Sequence, residues 1–324
     1  MEKSSIEFYV EDLIPKGALI ALTGSSDMGK SMFCRQLVLS LSLGATHFIG
    51  RKIKSFYQKC LYISSEDTEN ITAEYCFRQV QALFPNEYGT DKTREEASLR
   101  YRNKDVGFIF EQDNFELFIR SLKGCNYGII VVDALADFIP KDLNSAIEVR
   151  KFLSMFKPLT AEGTSVIFVT HINKASEERR PSKSNMNGSE ALQSGVREVL
   201  YLSDAGNGLR KLNIVKGNWF SQAMKAQTMF MSFDSQSLLF SAVEKDSPLI
   251  PLEYTYQINT PDTCNATNVN KASSAMSAND YFMVLQFLKQ GFSFENIARN
   301  MNMSVKVLVE KFNQSRNIYK SNER

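Results

Sequence analysis

The chain has 324 residues, about twice the length of a typical domain, so it has room for one large domain and an appendage. Hydrophobic residues make up 43% and charged residues 23%, which excludes collagen-like and globally disordered chains. The net charge of +2 is too small to indicate nucleic-acid binding from the charge of the whole chain. The composition therefore predicts a globular protein in which any nucleic-acid site is local.

Cysteine and histidine usage narrows the chemistry further. With only two histidines, a multi-histidine metal site is excluded. The cysteines are odd in number and are not spaced as in a zinc cluster, so we expect reduced thiols. They are Cys34, Cys60, Cys76, Cys125 and Cys264. No apolar run approaches the length of a membrane span, and acidic residues near the first Met argue against a signal peptide, so we expect a cytoplasmic protein without a membrane partner.

Short apolar runs alternate with amphipathic segments over the first two thirds of the chain. The run from Ala18 to Thr23 ends at Gly24 and precedes a predicted helix from Lys30 to Leu43. Further strands are predicted at Cys60 to Ser64, Tyr127 to Asp133, Ser165 to Thr170 and Glu198 to Leu202. Intervening helices are predicted at Ile71 to Phe84, Asn114 to Lys123 and Ser145 to Leu159. This alternation predicts an α/β fold whose mostly parallel sheet has helices on both faces.

The remainder of the chain has a different texture. Antiparallel edge strands are predicted at Arg210 to Lys216, Thr228 to Phe233 and Ser237 to Val243. A Ser-, Thr-, Asn- and Pro-rich stretch then predicts a linker over 247–279, between a core at 1–246 and a small all-α domain at 280–324. That domain is predicted to contain helices at Asp280 to Lys289, Phe294 to Met301 and Val305 to Ser315, with Ser293 and Ser304 as N-caps.

Residues 24–31, GSSDMGKS, match the pattern G-x-x-x-x-G-K-[ST] of a P-loop. The motif lies between a predicted strand and a predicted helix, as it must if backbone N–H groups are to face phosphates. Lys30 would reach the β- and γ-phosphates and Ser31 would bind Mg²⁺. The predicted nucleotide-binding residues are Gly24, Ser25, Ser26, Asp27, Met28, Gly29, Lys30, Ser31 and Met32.

Two acids follow other predicted strands. Asp133 ends the run IIVVD and is predicted to serve the metal, whereas Glu66, after the strand Cys60 to Ser64, is predicted to orient the attacking water. An inserted sheet order would bring Glu66 beside the γ-phosphate, and Asp67 would then point elsewhere. A solvated acid that caps a helix is the alternative for Glu66.

The chain resembles the RecA-like ATPases, and within them the RepA-type hexameric replicative helicases of plasmids and other mobile elements. The resemblance covers about residues 10–240. It is carried by the segments GSSDMGKS, ISSED, IIVVDALADF, VIFVTHINKA, GSEALQSGVREVLYL and LNIVKGNW. It implies a RecA-like P-loop NTPase core with ATP and Mg²⁺ as cofactors. It also implies a ring homo-oligomer, a hexamer in the family, that binds ATP at subunit interfaces and passes single-stranded DNA.

The resemblance also implies roles for particular residues. Glu66 matches the catalytic glutamate, and His171 matches the residue that senses the γ-phosphate. Arg197 and Lys216 lie where relatives carry cations that reach a neighbouring subunit's γ-phosphate. The segment 172–190 matches the channel loop, with Lys174, Arg179, Arg180 and Lys183 as DNA contacts, although a solvated loop of mixed charge is the alternative. Where relatives often carry Arg-Gly-Ser, this chain has Asn187-Gly188-Ser189.

The C-terminal helices leave two interpretations open. The pattern around Phe294 to Ala298 and from Val305 onward resembles a helix-turn-helix that would bind duplex DNA, with Lys306, Lys311 and Asn313 outward. A three-helix bundle that docks on the ring or on a partner is equally compatible with the pattern. For the whole chain, the first hypothesis is an ATP-driven DNA translocase or helicase. The second is a regulatory DNA-binding ATPase whose nucleotide state controls assembly without unwinding.

Overall fold

The computed structural model describes residues 6–55, 58–88, 106–109, 114–139, 143–172, 190–244 and 303–319, with the isolated residues 182, 184, 281, 284, 294, 297 and 298. The chain divides into two compact units, Met1–Asn259 and Thr260–Arg324. The boundary falls within the predicted linker, most of which lies outside the described residues.

The first unit is built on strands and helices that alternate along the chain. The strands are β1 Phe8–Val10, β2 Ile14–Pro15, β3 Leu19–Gly24, β4 His47–Phe48, β5 Arg51–Lys52, β6 Cys60–Ser64, β7 Val106–Ile109, β8 Ile129–Asp133, β9 Ser165–His171, β10 Glu198–Gly206, β11 Leu209–Gly217, β12 Thr228–Asp234 and β13 Leu239–Ala242. The helices of this unit are α1 Lys30–Leu43, α2 Glu69–Leu83, α3 Pro85–Tyr88, α4 Phe115–Ser121, α5 Leu135–Phe138, α6 Ala146–Met155, α7 Lys157–Ala161, α8 Glu190–Gly195 and α9 Gln222–Ala226.

Nine of these strands form one sheet in the order β13-β12-β11-β10-β3-β9-β8-β6-β7. The six strands from β10 to β7 are parallel, and β11, β12 and β13 continue the sheet as antiparallel edge strands. Strand β9 lies between β3 and β8, so its carboxyl end separates the end of β3 from the end of β8. The predicted α/β architecture with an antiparallel edge is therefore confirmed.

The two faces of the sheet carry separate hydrophobic cores. In β3, Ile20 and Leu22 pack on the side that includes Phe33 and Leu37 of α1, whereas the alternate residues face the opposite core. The period-two alternation places a buried side chain on both faces at each step of the strand. This is why the central strands are apolar along their whole length, as is typical of a parallel sheet covered on both sides.

Several elements differ from the sequence prediction. The helix predicted from Ser145 to Leu159 is two helices, α6 and α7, because Pro158 lacks an N–H group and its ring conflicts with the carbonyl four residues earlier. Strand β7 was not predicted, since it has only four residues and contains Gly107. The hairpins β1–β2 and β4–β5 are too short to give a periodic signal.

Only part of the second unit is described. Helix α10 spans Val305–Tyr319, and Ser304 caps its first turn by accepting a hydrogen bond from the N–H of Val307 at 3.3 Å. Rings of Tyr281, Phe294 and Phe312 pack together in this unit. Within the described part of the chain, no helix combines the length and apolar character that crossing a membrane requires.

Candidate functional site

The P-loop connects the end of β3 to the start of α1, and close packing requires glycine at both of its ends. A Cβ atom on Gly24 would lie 2.1 Å from the carbonyl oxygen of Leu202 in β10. Gly29, the N-cap of α1, has φ of 88° and ψ of 25°, and a Cβ there would lie 2.8 Å from the ring of Phe240. These contacts fix the loop backbone, so the N–H groups at the start of α1 remain directed out of the helix.

Lys30 lies back along the loop. Its Nζ donates hydrogen bonds to the carbonyl oxygens of Gly24 at 3.1 Å and Ser25 at 2.7 Å. The side chain is buried, and burial lowers the pKa of the ammonium group, while the carboxylates of Asp133 and Glu66 oppose that effect. The ammonium group therefore lies in the crook of the loop, whereas Ser26 and Asp27 at the loop tip are exposed.

Asp133 ends β8 and is almost completely buried. Its Oδ2 accepts a hydrogen bond from the hydroxyl of Tyr62, and the same hydroxyl lies 3.5 Å from the carbonyl oxygen of Ser31. One phenol oxygen thus touches both residues that the sequence predicts as metal ligands. This brings Ser31 and Asp133 to the same place beneath the P-loop.

Glu66 and His171 complete the group of side chains at this edge of the sheet. His171 Nδ1 lies 3.5 Å from Lys30 Nζ, and His171 Nε2 lies 4.0 Å from Glu66 Oε1. Burial and the neighbouring carboxylates Asp133 and Asp137 raise the pKa of Glu66. Burial and the charge of Lys30 lower the pKa of His171, which favours the neutral imidazole. A base with a raised pKa and a neutral imidazole therefore lie beside the P-loop lysine.

Two further residues at this site, Arg35 and Tyr62, were missed by sequence reasoning. The guanidinium group of Arg35, on α1, forms an ion pair with Asp67 and lies over the ring of Tyr62. Asp67 thus points toward α1 while Glu66 lies near His171. A signal for Arg35 was present in the sequence, since it is a charged residue on a helix that is otherwise buried along most of its length.

Arg197 and Lys216 lie away from the P-loop of their own chain. The N–H of Arg197 donates to the carbonyl oxygen of Leu19, at the start of β3, whereas the P-loop follows its end. Lys216 Nζ donates to the carbonyl oxygens of Gln193 and Val196, both at 2.6 Å, at the end of α8. The Arg197 side chain is exposed. Their predicted action on a neighbouring subunit stays a prediction.

The predicted DNA contacts lie outside the described residues. These are Lys174, Arg179, Arg180 and Lys183.

The donor set at the site fits a nucleotide with Mg²⁺. The ligands available beside the P-loop are oxygens, from Asp133 and Ser31, and magnesium prefers oxygen ligands. No group of three or more His, Cys, Asp and Glu side chains suited to a metal ion occurs among the described residues. One carboxylate and one hydroxyl are sufficient where phosphate oxygens and water supply the rest.

Comparisons with known structures support the same fold. The solved ATPase domain of a DnaB-like replicative helicase superimposes with a TM-score of 0.53 at 14% identity, over 71% of this chain and 86% of that one. "The Structure Of A DnaB-Like Replicative Helicase And Its Interactions With Primase" gives a TM-score of 0.52 at 13% identity, over 70% of this chain and 58% of that one. The core therefore has the fold of the RecA-like ATPase domains of replicative helicases.

Sequence comparison gives the family. None of the curated proteins matches the chain. A family model described as AAA domain (AAA_25) matches residues 2–177, a segment that contains the P-loop, Glu66, Asp133 and His171. Because this match covers more than half of the chain, the protein belongs to the AAA domain family.

Proposed function

We propose that the protein hydrolyses ATP at this site. The observation that carries the proposal is the convergence of Lys30, His171, Glu66 and Asp133 at the carboxyl ends of four consecutive strands, β3, β9, β8 and β6. In open α/β sheets, ligands bind in the crevice outside the carboxyl ends of the strands. Membership of the AAA domain family supports the same activity.

Each residue has a chemical role in this proposal. The P-loop amides and Lys30 bind the phosphates, and Lys30 leaves the carbonyl oxygens of Gly24 and Ser25 to do so. Asp133 and Ser31 hold Mg²⁺, which neutralises charge that develops on the phosphate oxygens. Glu66 accepts a proton from the attacking water, and its raised pKa makes it a better base than an ordinary glutamate. His171, between Lys30 and Glu66, senses the γ-phosphate.

We further propose that ATP hydrolysis drives movement on single-stranded DNA by a ring, as in the RepA-type helicases. The fold shared with the ATPase domains of DnaB-like replicative helicases supports this. Lys174, Arg179, Arg180 and Lys183 would contact the phosphates of the strand. Arg197 and Lys216 would serve the neighbouring subunit, which agrees with their distance from their own P-loop.

The experiment is steady-state ATP hydrolysis with and without a single-stranded oligonucleotide, with Lys30→Ala as the blank. We expect a Lys30-dependent rate that rises several-fold with single-stranded DNA and does not rise with duplex. The double variant Arg179→Ala/Arg180→Ala should lose the stimulation. The matched control, Lys123→Ala/Lys151→Ala, removes two exposed cations from the surface and should keep it.

Two results would redirect the proposal. If hydrolysis depends on Lys30 but single strands do not stimulate it, the protein is an ATPase without a motor, and the regulatory DNA-binding hypothesis is tested next by duplex binding. If wild type and Lys30→Ala hydrolyse ATP equally, the P-loop is not the site of hydrolysis.

A further inference from the structure

A buried arginine lies at the centre of a cluster behind the nucleotide site. Arg35 is completely buried on α1, five residues after Lys30. Its guanidinium carbon lies 5.3 Å from the ring centroid of Tyr62 and 5.4 Å from that of Tyr75. Its Nη2 donates to Asp67 Oδ2. The charge is therefore held by two aromatic rings and one carboxylate.

The cluster has one branch to each of the two acids of the site. Asp67 is the next residue after Glu66, and its N–H donates to Ser64 Oγ at 3.3 Å, so the pair with Arg35 ties the segment that carries Glu66 to α1. In the other branch, the Tyr62 hydroxyl donates to Asp133. Helix α1 starts with the P-loop residues Lys30 and Ser31, so both branches begin on the element that holds the phosphates.

Stability alone gives a poor account of this arrangement. Removing an arginine from water is costly, and apolar residues of similar volume often stabilise a core as well as a buried ion pair does. A planar guanidinium group does provide fixed geometry, because it stacks on aromatic rings and presents its N–H groups in set directions. The cluster is thus better suited to holding neighbouring groups in place than to stabilising the fold.

We propose that Arg35 is a positioning residue that holds both acids of the site, Glu66 through Asp67 and Asp133 through Tyr62. The inference rests on the proposed ATPase function. It adds to that function three residues that touch neither phosphate nor metal and that set the geometry of the two that do.

The Tyr62 branch is tested through magnesium. Tyr62→Phe keeps the buried ring and removes the hydrogen bond to Asp133, so the Mg²⁺ concentration for half-maximal ATP hydrolysis should rise about 10- to 100-fold. Binding of a fluorescent ADP analogue in EDTA should not change, because the P-loop contacts do not involve Tyr62. The matched control is Tyr9→Phe, which removes another buried phenol hydroxyl, bonded to the carbonyl oxygen of Gly163 at 3.0 Å.

The Asp67 branch is tested through the split between kcat and KM. Asp67→Asn weakens the tie to Arg35 and lets Glu66 leave its position, so kcat should fall about tenfold or more while KM for ATP changes less than about twofold. Asp204→Asn is the matched control, because Asp204 pairs with Arg210 at 3.0 Å in the β10–β11 hairpin.

Arg35→Lys tests whether the two branches share one centre. Lysine keeps the charge but loses the planar fork, so this variant should show the magnesium shift and the loss of kcat together. Adding Tyr62→Phe to it should cause little further change, because residues that act through one another are not additive. Thermal unfolding of each variant separates loss of position from loss of fold.

The outcomes are distinct from those of the ATPase proposal. If wild type hydrolyses ATP and the magnesium curve of Tyr62→Phe overlays that of Tyr9→Phe, the positioning role of Arg35 toward Asp133 is wrong. If Asp67→Asn keeps its kcat, the role toward Glu66 is wrong. Absence of Lys30-dependent hydrolysis in wild type overturns the ATPase proposal itself, before any variant is compared.

Discussion

Two acids are buried in the parallel sheet, and they lie at opposite ends of it. Asp133, at the carboxyl end of β8, accepts a hydrogen bond from Tyr62. Glu198 opens β10 between Ile20 and Gly217, is completely buried, and has neither carboxylate oxygen hydrogen-bonded among the described residues. Burial raises the pKa of Glu198 well above its ordinary value. The same chemical group is thus a partnered site residue at one end and, within the described chain, an acid without a hydrogen bond at the other.

The difference shows what the carboxyl ends of the strands provide. There the P-loop, Lys30 and the helix start bring polar partners to Asp133, so a charge can be held for binding. At the amino end of β10 no such partner faces Glu198 within the described chain, and the neutral acid is favoured. Burial alone therefore does not identify a functional acid, and its partners do.

The largest expected effect comes from the base at the carboxyl end. Glu66→Gln should reduce kcat for ATP by about 10²- to 10⁴-fold, because the amide cannot accept the proton of the attacking water. Since the pKa of Glu66 is raised, wild-type activity should increase with pH through a midpoint above 4.5, the ordinary value for glutamate. The measurement is the pH profile of kcat/KM. A variant with wild-type kcat would remove Glu66 from the mechanism.

The matched change at Asp133 should act on the metal. Asp133→Asn keeps the size and the hydrogen bond from Tyr62 but removes the charge, so kcat at fixed Mg²⁺ should fall about 100-fold. Nucleotide binding in EDTA should remain, and it can be measured by titration with a fluorescent ADP analogue. Equal loss of binding with and without Mg²⁺ would contradict a metal role.

The same acid-to-amide change at Glu198 should affect stability and leave ATP hydrolysis intact. The folded state binds a proton at Glu198 that the unfolded chain releases above about pH 4.5, so wild-type stability falls as the pH rises from there toward the raised pKa. Glu198→Gln cannot ionise and should lose this dependence, gaining about 1–3 kcal/mol relative to wild type at pH 8. Denaturant unfolding at pH 5 and pH 8 measures it. A pH-independent difference would mean that Glu198 is not protonated in the fold.

The smallest effect is expected at Lys216, which lies opposite Val199, beside Glu198. Its ammonium group bonds carbonyl oxygens at the end of α8, so Lys216→Met should lower stability by about 0.5–1 kcal/mol. Thermal unfolding measures this loss. A large fall in ATP hydrolysis with unchanged stability would instead favour the predicted action on a neighbouring subunit.

The sequence by itself determined the elements that have a strong local signal. The P-loop pattern fixed the position of β3 and α1, because a strand, a phosphate-binding loop and a helix are encoded within 26 consecutive residues, Leu19 to Gly44. Asp133 followed from the apolar run before it. The antiparallel edge strands were also predicted, although their turns shifted the bounds by a few residues.

Tertiary structure decided the contacts that join distant segments. Placing His171 between Lys30 and Glu66 depends on β9 lying between β3 and β8, which spacing along the chain does not reveal. The cluster of Arg35 with Tyr62 and Asp67 unites residues about thirty positions apart. Local patterns determine strands and helices because those depend on neighbouring residues. The pairing of buried charges depends on the order of strands in the sheet, and only the folded chain sets that order.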